Sequence, residues 1–271
     1  MKLLPIYLAI IFEILLFFTG ASIYSFLEVI VDRVPKKESF IKGRSYCDSC
    51  GHELKAIDLV PIFSWLFLGG KCRYCHEKIP AVLFIKELIG GASLSLITWQ
   101  LTNYRGLTWD VFADVILIFV FGCVCNVTGS IYIKTKTISL ASVISMAVCA
   151  LFRFIFPWLE GYKKLTSGTH KVYFALIGAG IILVVSVVIW FLKDKMSLYE
   201  WLFLSLGGFV LGGFHASVAT AIFIVCMAAV TIYYHQLKQP KKKGEYLPYV
   251  PFLCLAMHVA SWSFVTIYAG F

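Results

Sequence analysis

Apolar stretches long enough to cross a bilayer recur down this chain with only short polar breaks between them, and no other feature limits its fold so strongly. A hydrocarbon core about 30 Å thick takes roughly 20 residues of helix to cross, and a helix satisfies its own backbone hydrogen bonds where no water can. The runs fall at 5–30, 81–101, 110–128, 137–157, 172–192, 199–213, 214–234 and 248–270, which predicts eight transmembrane helices and an all-α, polytopic helical membrane protein. Composition agrees. Of 271 residues 60% are hydrophobic and 14% charged, with a mean hydropathy of +0.84, more apolar surface than a soluble fold of this length can bury. The first run, from Pro5 to Ile30, is followed by a polar segment with no small-residue cleavage site before it, so it reads as a retained helix and not a removed leader. The sixth and seventh runs are separated only by Gly207, Gly208, Gly212, Gly213 and His215, where a tight turn is expected.

The net charge of +9 could point to nucleic acid, but the Lys and Arg residues sit between hydrophobic runs and not along one soluble face. Topology explains them, and no nucleic-acid partner is expected. Arg33, Lys36, Lys37, Lys42, Arg44, Lys55, Lys71, Arg73 and Lys78 all lie between the first and second runs, which places that loop in the cytoplasm. Eight spans then put Lys134 and Lys136, Lys193 and Lys195, and Lys238 with Lys241 to Lys243 on the same side; the loop at 158–171, with Lys163, Lys164 and Lys171, fits less well. Both termini face away from the cytoplasm in this arrangement. Aromatic residues near span ends, among them Phe154, Phe156, Trp158, Tyr162, Tyr233 and Tyr234, suit the membrane interface. The expected organisation is a first transmembrane helix over 1–30, a cytoplasmic module over 31–80 and a transmembrane helical domain over 81–271.

Segment 31–80 is too short to fold on a hydrophobic core alone and needs a staple. Cys47 and Cys50 in "SYCDSCGHEL", then Cys72 and Cys75 in "GKCRYCHEKI", give two C-x2-C pairs separated by 21 residues. Two-residue spacing lets both thiolates of a pair reach one ion, and two such pairs complete the tetrahedral sulfur set of a structural, zinc-ribbon-like site. Gly51, Gly69 and Gly70 suit the tight turns around it. The alternative, two disulfides or a redox pair, is ill matched to a reducing cytoplasm. His52 and His76 stand beside the pairs as bystanders. Cys123, Cys125, Cys149, Cys226 and Cys254 lie within apolar runs and read as small buried side chains.

These residues carry a resemblance. The run from Tyr24 to Pro35, "YSFLEVIVDRVP", resembles the "GSFLNVVIYRLP" of bacterial type IV prepilin peptidases, membrane enzymes that cleave prepilin leaders and methylate the new N-terminus. "RSYCDSCGHEL", then "DLVPIFSWLFLGGKCRYCHEKI" from Asp58, then Glu87-Leu88-Ile89-Gly90, follow in that family's order, and Leu247-Pro248-Tyr249-Val250-Pro251 is similar to the entry into its last helix. The resemblance implies zinc at the four cysteines, a place in the bacterial inner membrane with the module in the cytoplasm, and pilin or pseudopilin segments with their pilus, competence or type II secretion machinery as partners alongside membrane lipid. It also implies S-adenosylmethionine if methyl transfer is retained, although no glycine-rich strand-to-helix motif for such a donor is present.

Peptidases of this kind use two aspartates, one sited near an "IPN" or "LPD" turn and one in "GxGDxK". One carboxylate activates water while the other, protonated, polarises the scissile carbonyl. Here the likeness fails. The first aspartate position falls on Tyr132 by counting back from Ile138-Ser139, or on Thr128 by counting from Gly106, and no Asp or Glu occurs between Asp114 and Glu160. The second, aligned through Gly208-Phe209-Val210-Leu211-Gly212, falls on Glu200, with Ser197 and Tyr199 where glycines belong and Leu202 at the lysine. Natural divergence, not deliberate inactivation, changes the neighbours too. Glu28 and Asp32 near the end of the first helix are further acids that could serve; the bland expectation pairs them and Glu200 with Arg33 and Lys195. Glu13 sits mid-helix, protonated or facing a polar partner, and Asp110 and Asp114 suit a helix start. The function expected is a divergent prepilin-peptidase-like membrane protein without peptidase activity. The alternatives are an active leader peptidase and N-methyltransferase with a rebuilt acid pair or, in another class, a transporter or channel, which the absence of inverted repeats disfavours.

Overall fold

The computed structural model describes residues 6–106, 108–159, 165–193, 196–211, 213–236 and 249–262. Its helices are α1 (Ile6–Arg33), α2 (Phe63–Phe67), α3 (Ala81–Arg105), α4 (Trp109–Thr135), α5 (Leu140–Leu159), α6 (Leu165–Lys193), α7 (Leu198–Leu211), α8 (Gly213–Gln236) and α9 (Tyr249–Trp262). A helix stands on each of the eight apolar runs, and α2 and a 3₁₀ turn at Ala56–Leu59 are the additions among the described residues. Ile6–Arg33, Ala81–Asn103 and Val111–Thr135 are each long and apolar enough to cross a bilayer, and five shorter apolar helices accompany them. The protein is a polytopic helical membrane protein, with no strand among the described residues beyond two isolated bridges.

The chain forms two compact units, Met1–Val115 and Ile116–Phe271. In the first, α1 packs antiparallel to α3. Lipid offers no hydrophobic drive between helices, so association rests on close fit, and small residues supply it. A Cβ on Gly20 would strike the Gly90 carbonyl, one on Gly90 would strike the Tyr24 ring, and one on Gly91 would come within 2.7 Å of the Phe17 carbonyl. Polar groups along the seam find partners. Lys86 Nζ pairs with Glu28 Oε1 at 2.8 Å, and Ser95 Oγ donates to Glu13 Oε2 at 2.6 Å, giving that mid-helix acid the polar partner expected of it. Thr98 and Thr102 hydroxyls return to carbonyls one turn back, as buried hydroxyls in a dry helix must. At its end α3 stops at Gly106, whose φ of 81° suits glycine and whose N–H caps the Thr102 carbonyl at 3.0 Å.

In the second unit α6 packs on α7 and α8, α5 on α7, and α8 on α9, around a core in which Met146, Ile182, Phe203, Leu204 and Met257 are fully buried. Gly208 lets α7 press against α6, where an added Cβ would lie 2.5 Å from the Gly178 carbonyl. α7 ends at Leu211 and α8 begins at Gly213; Gly212, within the stretch where a tight turn is expected, lies outside the described residues. At the other end of α7, Ser197 and Glu200 form a reciprocal cap. The Ser197 N–H donates to Glu200 Oε2 at 2.9 Å and the Glu200 N–H to Ser197 Oγ at 3.2 Å, which satisfies two of the donors a helix start leaves open.

Candidate functional site

Residues 45–54 and 70–79 fold alike, hydrogen bond for hydrogen bond. The Cys47 N–H donates to the His52 carbonyl at 3.0 Å and the Cys72 N–H to the Glu77 carbonyl at 2.8 Å. Gly51 and His76 donate back to Cys47 and Cys72 at 2.8 and 3.0 Å, and Leu54 and Ile79 close each loop onto Ser45 and Gly70. Tyr46 bridges to Glu53 as Lys71 does to Lys78. Every pair is offset by the same 25 positions in the sequence. Each loop crosses to a positive φ just after its second cysteine, at Gly51 (68°) and at His76 (58°), so His76 carries out a glycine's turn.

These loops bring the Sγ atoms of Cys47, Cys50, Cys72 and Cys75 within 4.8 Å of one another, and all four are free thiols. Cys47 and Cys75 stand 3.8 Å apart. A tetrahedron with metal–sulfur bonds of about 2.3 Å has sulfur–sulfur edges of about 3.8 Å, so the cluster is sized for a metal ion such as zinc. Backbone N–H groups of Cys50 and Ser49 draw the Cys47 thiol down to about 7. The Glu77 N–H pulls Cys75 the same way, but desolvation and the three neighbouring thiols outweigh it and push Cys75 up to about 12. Four thiols so close cannot all ionise without a cation between them. Among the described residues no histidine or carboxylate joins the four; His52 instead lies over the Tyr74 ring at 3.6 Å.

A second layer braces this centre. Asp58, its side chain only 3% exposed, receives Arg73 Nε at 2.6 Å, the Lys55 N–H at 3.1 Å and the Tyr74 hydroxyl at 3.3 Å. Burial pushes its carboxyl up, but the guanidinium and these donors hold it below the ordinary value. Trp65 donates to the Ile79 carbonyl at 3.3 Å, and its ring fills the space a side chain on Gly70 would need. Arg33 is buried and donates to the carbonyls of Ser39, Lys42 and Arg44 at 2.8 to 3.0 Å, so it ties down the loop after α1 and does not pair with Glu28 or Asp32 as expected. Those acids pair with Lys86 and Lys36.

In the second unit Glu200 lies 5% exposed at the start of α7. The side chains of Tyr132, near the end of α4, and Tyr249, at the start of α9, lie close enough to its carboxylate to act on it electrostatically, and the two rings are 6.2 Å apart. Thr128, the other candidate for the first aspartate position, is buried one turn earlier on α4. The structure thus brings two sequence-selected positions, Tyr132 and Glu200, close together and adds Tyr249, which motif counting did not single out. Glu200 is the sole carboxylate among the described residues of 116–271; Glu160, Asp194 and Glu245 lie outside them, as does Lys195, the cation expected beside Glu200. Instead of that cation the carboxylate meets a helix cap and two phenols. Glu28 belongs to the first unit. Cys123, Cys125, Cys149 and Cys254 are buried as expected and Cys226 is half-buried; the side chain of Asp110 lies outside the described residues.

Residues 18–101 match the bacterial peptidase A24 N-terminal domain. The chain is 33% identical over 115 residues to the prepilin leader peptidase/N-methyltransferase of Myxococcus xanthus, covering 42% of this chain and 33% of that one. It is 40% identical over 72 residues to the protein of the same description from Vibrio cholerae, covering 24% and 28%. With that of Pseudomonas aeruginosa it shares 30% identity over 123 residues, covering 35% and 42%. The chain therefore matches between 28% and 42% of the length of these curated relatives. No solved structure matches.

Proposed function

We propose, from the premise that this chain is a relative of the prepilin leader peptidases carrying their bacterial A24 N-terminal domain over residues 18–101, that it is a member without peptidase activity. It keeps the family's membrane frame and cysteine module and uses them to hold prepilin-like or pseudopilin segments, or subunits of the pilus or secretion machinery. One observation supports this reading most: Glu200, counted to one aspartate position, lies close to Tyr132, which with Thr128 is the candidate for the other, and neither of those two is an acid. An acid dyad works because two carboxylates share a proton, one serving as base and one as acid. A phenol, with an ordinary pKa near 10, can donate a hydrogen bond but is no base at neutral pH. The one carboxylate is also engaged, since its Oε2 accepts the Ser197 N–H that starts α7. Such a cluster is suited to fastening α4, α7 and α9 together.

In this reading Cys47, Cys50, Cys72 and Cys75 hold zinc in a closed, structural site. The metal supplies folding energy to residues 31–80 and no open position for substrate. The excess of Lys and Arg between α1 and α3 supports placing that module in the cytoplasm and the protein in a bacterial inner membrane. S-adenosylmethionine enters only if methyl transfer survives.

The competing reading, an active leader peptidase, requires a second acid beside Glu200, and Asp194, six residues away, is the nearest in sequence. Expression with a type IV prepilin reporter in cells lacking their own prepilin peptidase decides between them. The expected result is an uncleaved reporter that co-purifies with the protein. Cleavage abolished by Glu200→Gln, and equally by Asp194→Asn, would establish a rebuilt acid pair and end the proposal. Glu200→Gln is a clean probe, because glutamine at the third helical position also completes a capping box.

A further inference from the structure

The segment Leu59–Gly70 contains no charged residue, although Lys55, Asp58, Lys71 and Arg73 flank it closely. Its contacts fix its depth. The Phe63 ring stacks on Phe18 of α1, 5.3 Å between centroids, and Phe18 lies 15 residues before the end of α1 at Arg33. At 1.5 Å per residue that is about 22 Å along the helix, well inside the apolar part of the span. Trp65 stacks on Phe84 at 4.7 Å, and the Ile62 N–H donates to Glu87 Oε2 at 2.7 Å, within the first two turns of α3. So α2 does not stand off in the solvent with the cysteine loops. It lies alongside α1 and α3 at the level of the Glu28–Lys86 ion pair and beyond it, toward the middle of the span.

The backbone of this segment is arranged as a dry environment demands. Pro61 has no N–H to satisfy. Ile62 donates to Glu87, Phe63 to the Pro61 carbonyl at 2.7 Å, Ser64 to Val60, Leu66 to Ile62, Leu68 to Ser64, Gly69 to Leu66 and Gly70 to Trp65. Ile62 itself, at φ 69° and ψ −55°, is the centre of a tight γ-turn, a strained conformation for a β-branched residue. That turn reverses the chain at its deepest point, and the Glu87 carboxylate secures the donor the turn would otherwise strand. Non-helical backbone at membrane depth is tolerated only when its polar groups are paired within the protein. Meanwhile the side chains facing away are apolar and open: Phe67 is 84% exposed and Leu66 52%.

We infer that Leu59–Gly70 is a re-entrant membrane anchor: α2 dips from the cytoplasmic face past the headgroups into the acyl-chain region, with Leu66 and Phe67 in contact with lipid. The cysteine centre is thereby held against the membrane surface and not on a free tether. A purely interfacial helix sinks only about 5–10 Å into the headgroup–acyl boundary; the Phe63–Phe18 stack carries this one deeper. The inference stands apart from the question of peptidase activity.

Site-specific photocrosslinking of the full chain in phospholipid nanodiscs tests it, with p-benzoylphenylalanine replacing Phe67, Leu66 or, as the control on a cysteine loop, Glu53. Phe67 is mostly exposed and Leu66 half open, so both positions accept the larger ketone. Phospholipid adducts at 66 and 67 and none at 53 are expected. Crosslinks from 67 to a second copy or to another protein, or lipid adducts no more frequent at 67 than at 53, would overturn the anchor.

Discussion

Asp58 shows how a single side chain holds the cysteine module together. Its carboxylate is buried while its partner Arg73 remains 43% exposed, so the two are not equivalent targets. Arg73→Met leaves a buried charge short of its guanidinium and should cost about 3 kcal/mol. Asp58→Asn leaves only a cation that water can reach and should cost about 1 kcal/mol. The carboxyl is held below its ordinary value in the folded protein, so its contribution is full above the unfolded value, about 4, and is lost as pH falls through the folded one. Protease protection of residues 34–80 measured against pH should therefore show a gap between Asp58→Asn and the parent at pH 7 that closes in acid. A gap that does not narrow as pH falls below about 4 would show that the carboxylate is not what the asparagine removes. Glu200 invites a parallel comparison. Ser197→Ala and Glu200→Ala each open the reciprocal cap of α7 and should cost about 1 kcal/mol, whereas Glu200→Gln should cost much less. If Glu200→Gln proved the worst of the three in thermal unfolding, the charge and not the cap would be what matters there. The signature was present in the sequence, since Ser197-Leu198-Tyr199-Glu200 before an apolar run is a helix start.

Helices and loops were legible to different degrees, for physical reasons. Apolar runs declared eight helices because lipid imposes one rule on every span. The cysteine spacing announced a four-thiol cluster because only a few geometries suit it. What the sequence concealed was how elements touch. The α1–α3 seam depends on Gly20, Gly90 and Gly91, and glycine is so common in transmembrane helices that its presence marks no particular contact. Gly20→Ala should push α1 off α3, because the obstacle is the Gly90 carbonyl and backbone cannot rotate away, at a cost of about 1–3 kcal/mol. Gly180→Ala in α6, where nothing lies within 4 Å of an added Cβ, should be neutral or gain up to about 1 kcal/mol from helix propensity. Thermal unfolding of the two variants in one detergent makes the comparison, and equal losses would mean the seam is looser than described. Tyr249 was hidden for a similar reason. It belongs to the Glu200 cluster through the packing of α9, more than 40 residues further along the chain, and no local motif records such a contact.

At the scale of the molecule the two compact units differ in what makes them fold. The second has a broad buried core of large apolar side chains from α4 to α9. In the first, α1 and α3 pair along one seam, and residues 34–80 have almost no core of their own; Ile62 and Cys72 are the hydrophobic residues buried there. Fewer than 50 residues cannot bury enough apolar surface to offset the entropy of ordering them, and a metal bound by four thiolates can supply the difference. Removal of zinc should therefore act on one part of the protein. Chelation, or Cys47→Ser, should release about one equivalent of metal per chain and expose residues 34–80 to protease, because among the described residues no disulfide joins the two cysteine loops. The helices of 116–271, whose core includes none of these cysteines, should retain their thermal transition. Amide exchange with and without chelator resolves both responses in one experiment. Segment 59–70 gives an internal gauge, since up to Ser64 its backbone donors are paired through Glu87 and its own carbonyls, and only its end, at Leu68 and Gly70, is bonded to the second cysteine loop. It should lose less protection than 45–54 and 70–79. If those loops kept their protection in metal-free protein, the thiol cluster would be an ornament on a module folded by other means; if the helices of the second unit melted with the loops, the two units would be one cooperative structure.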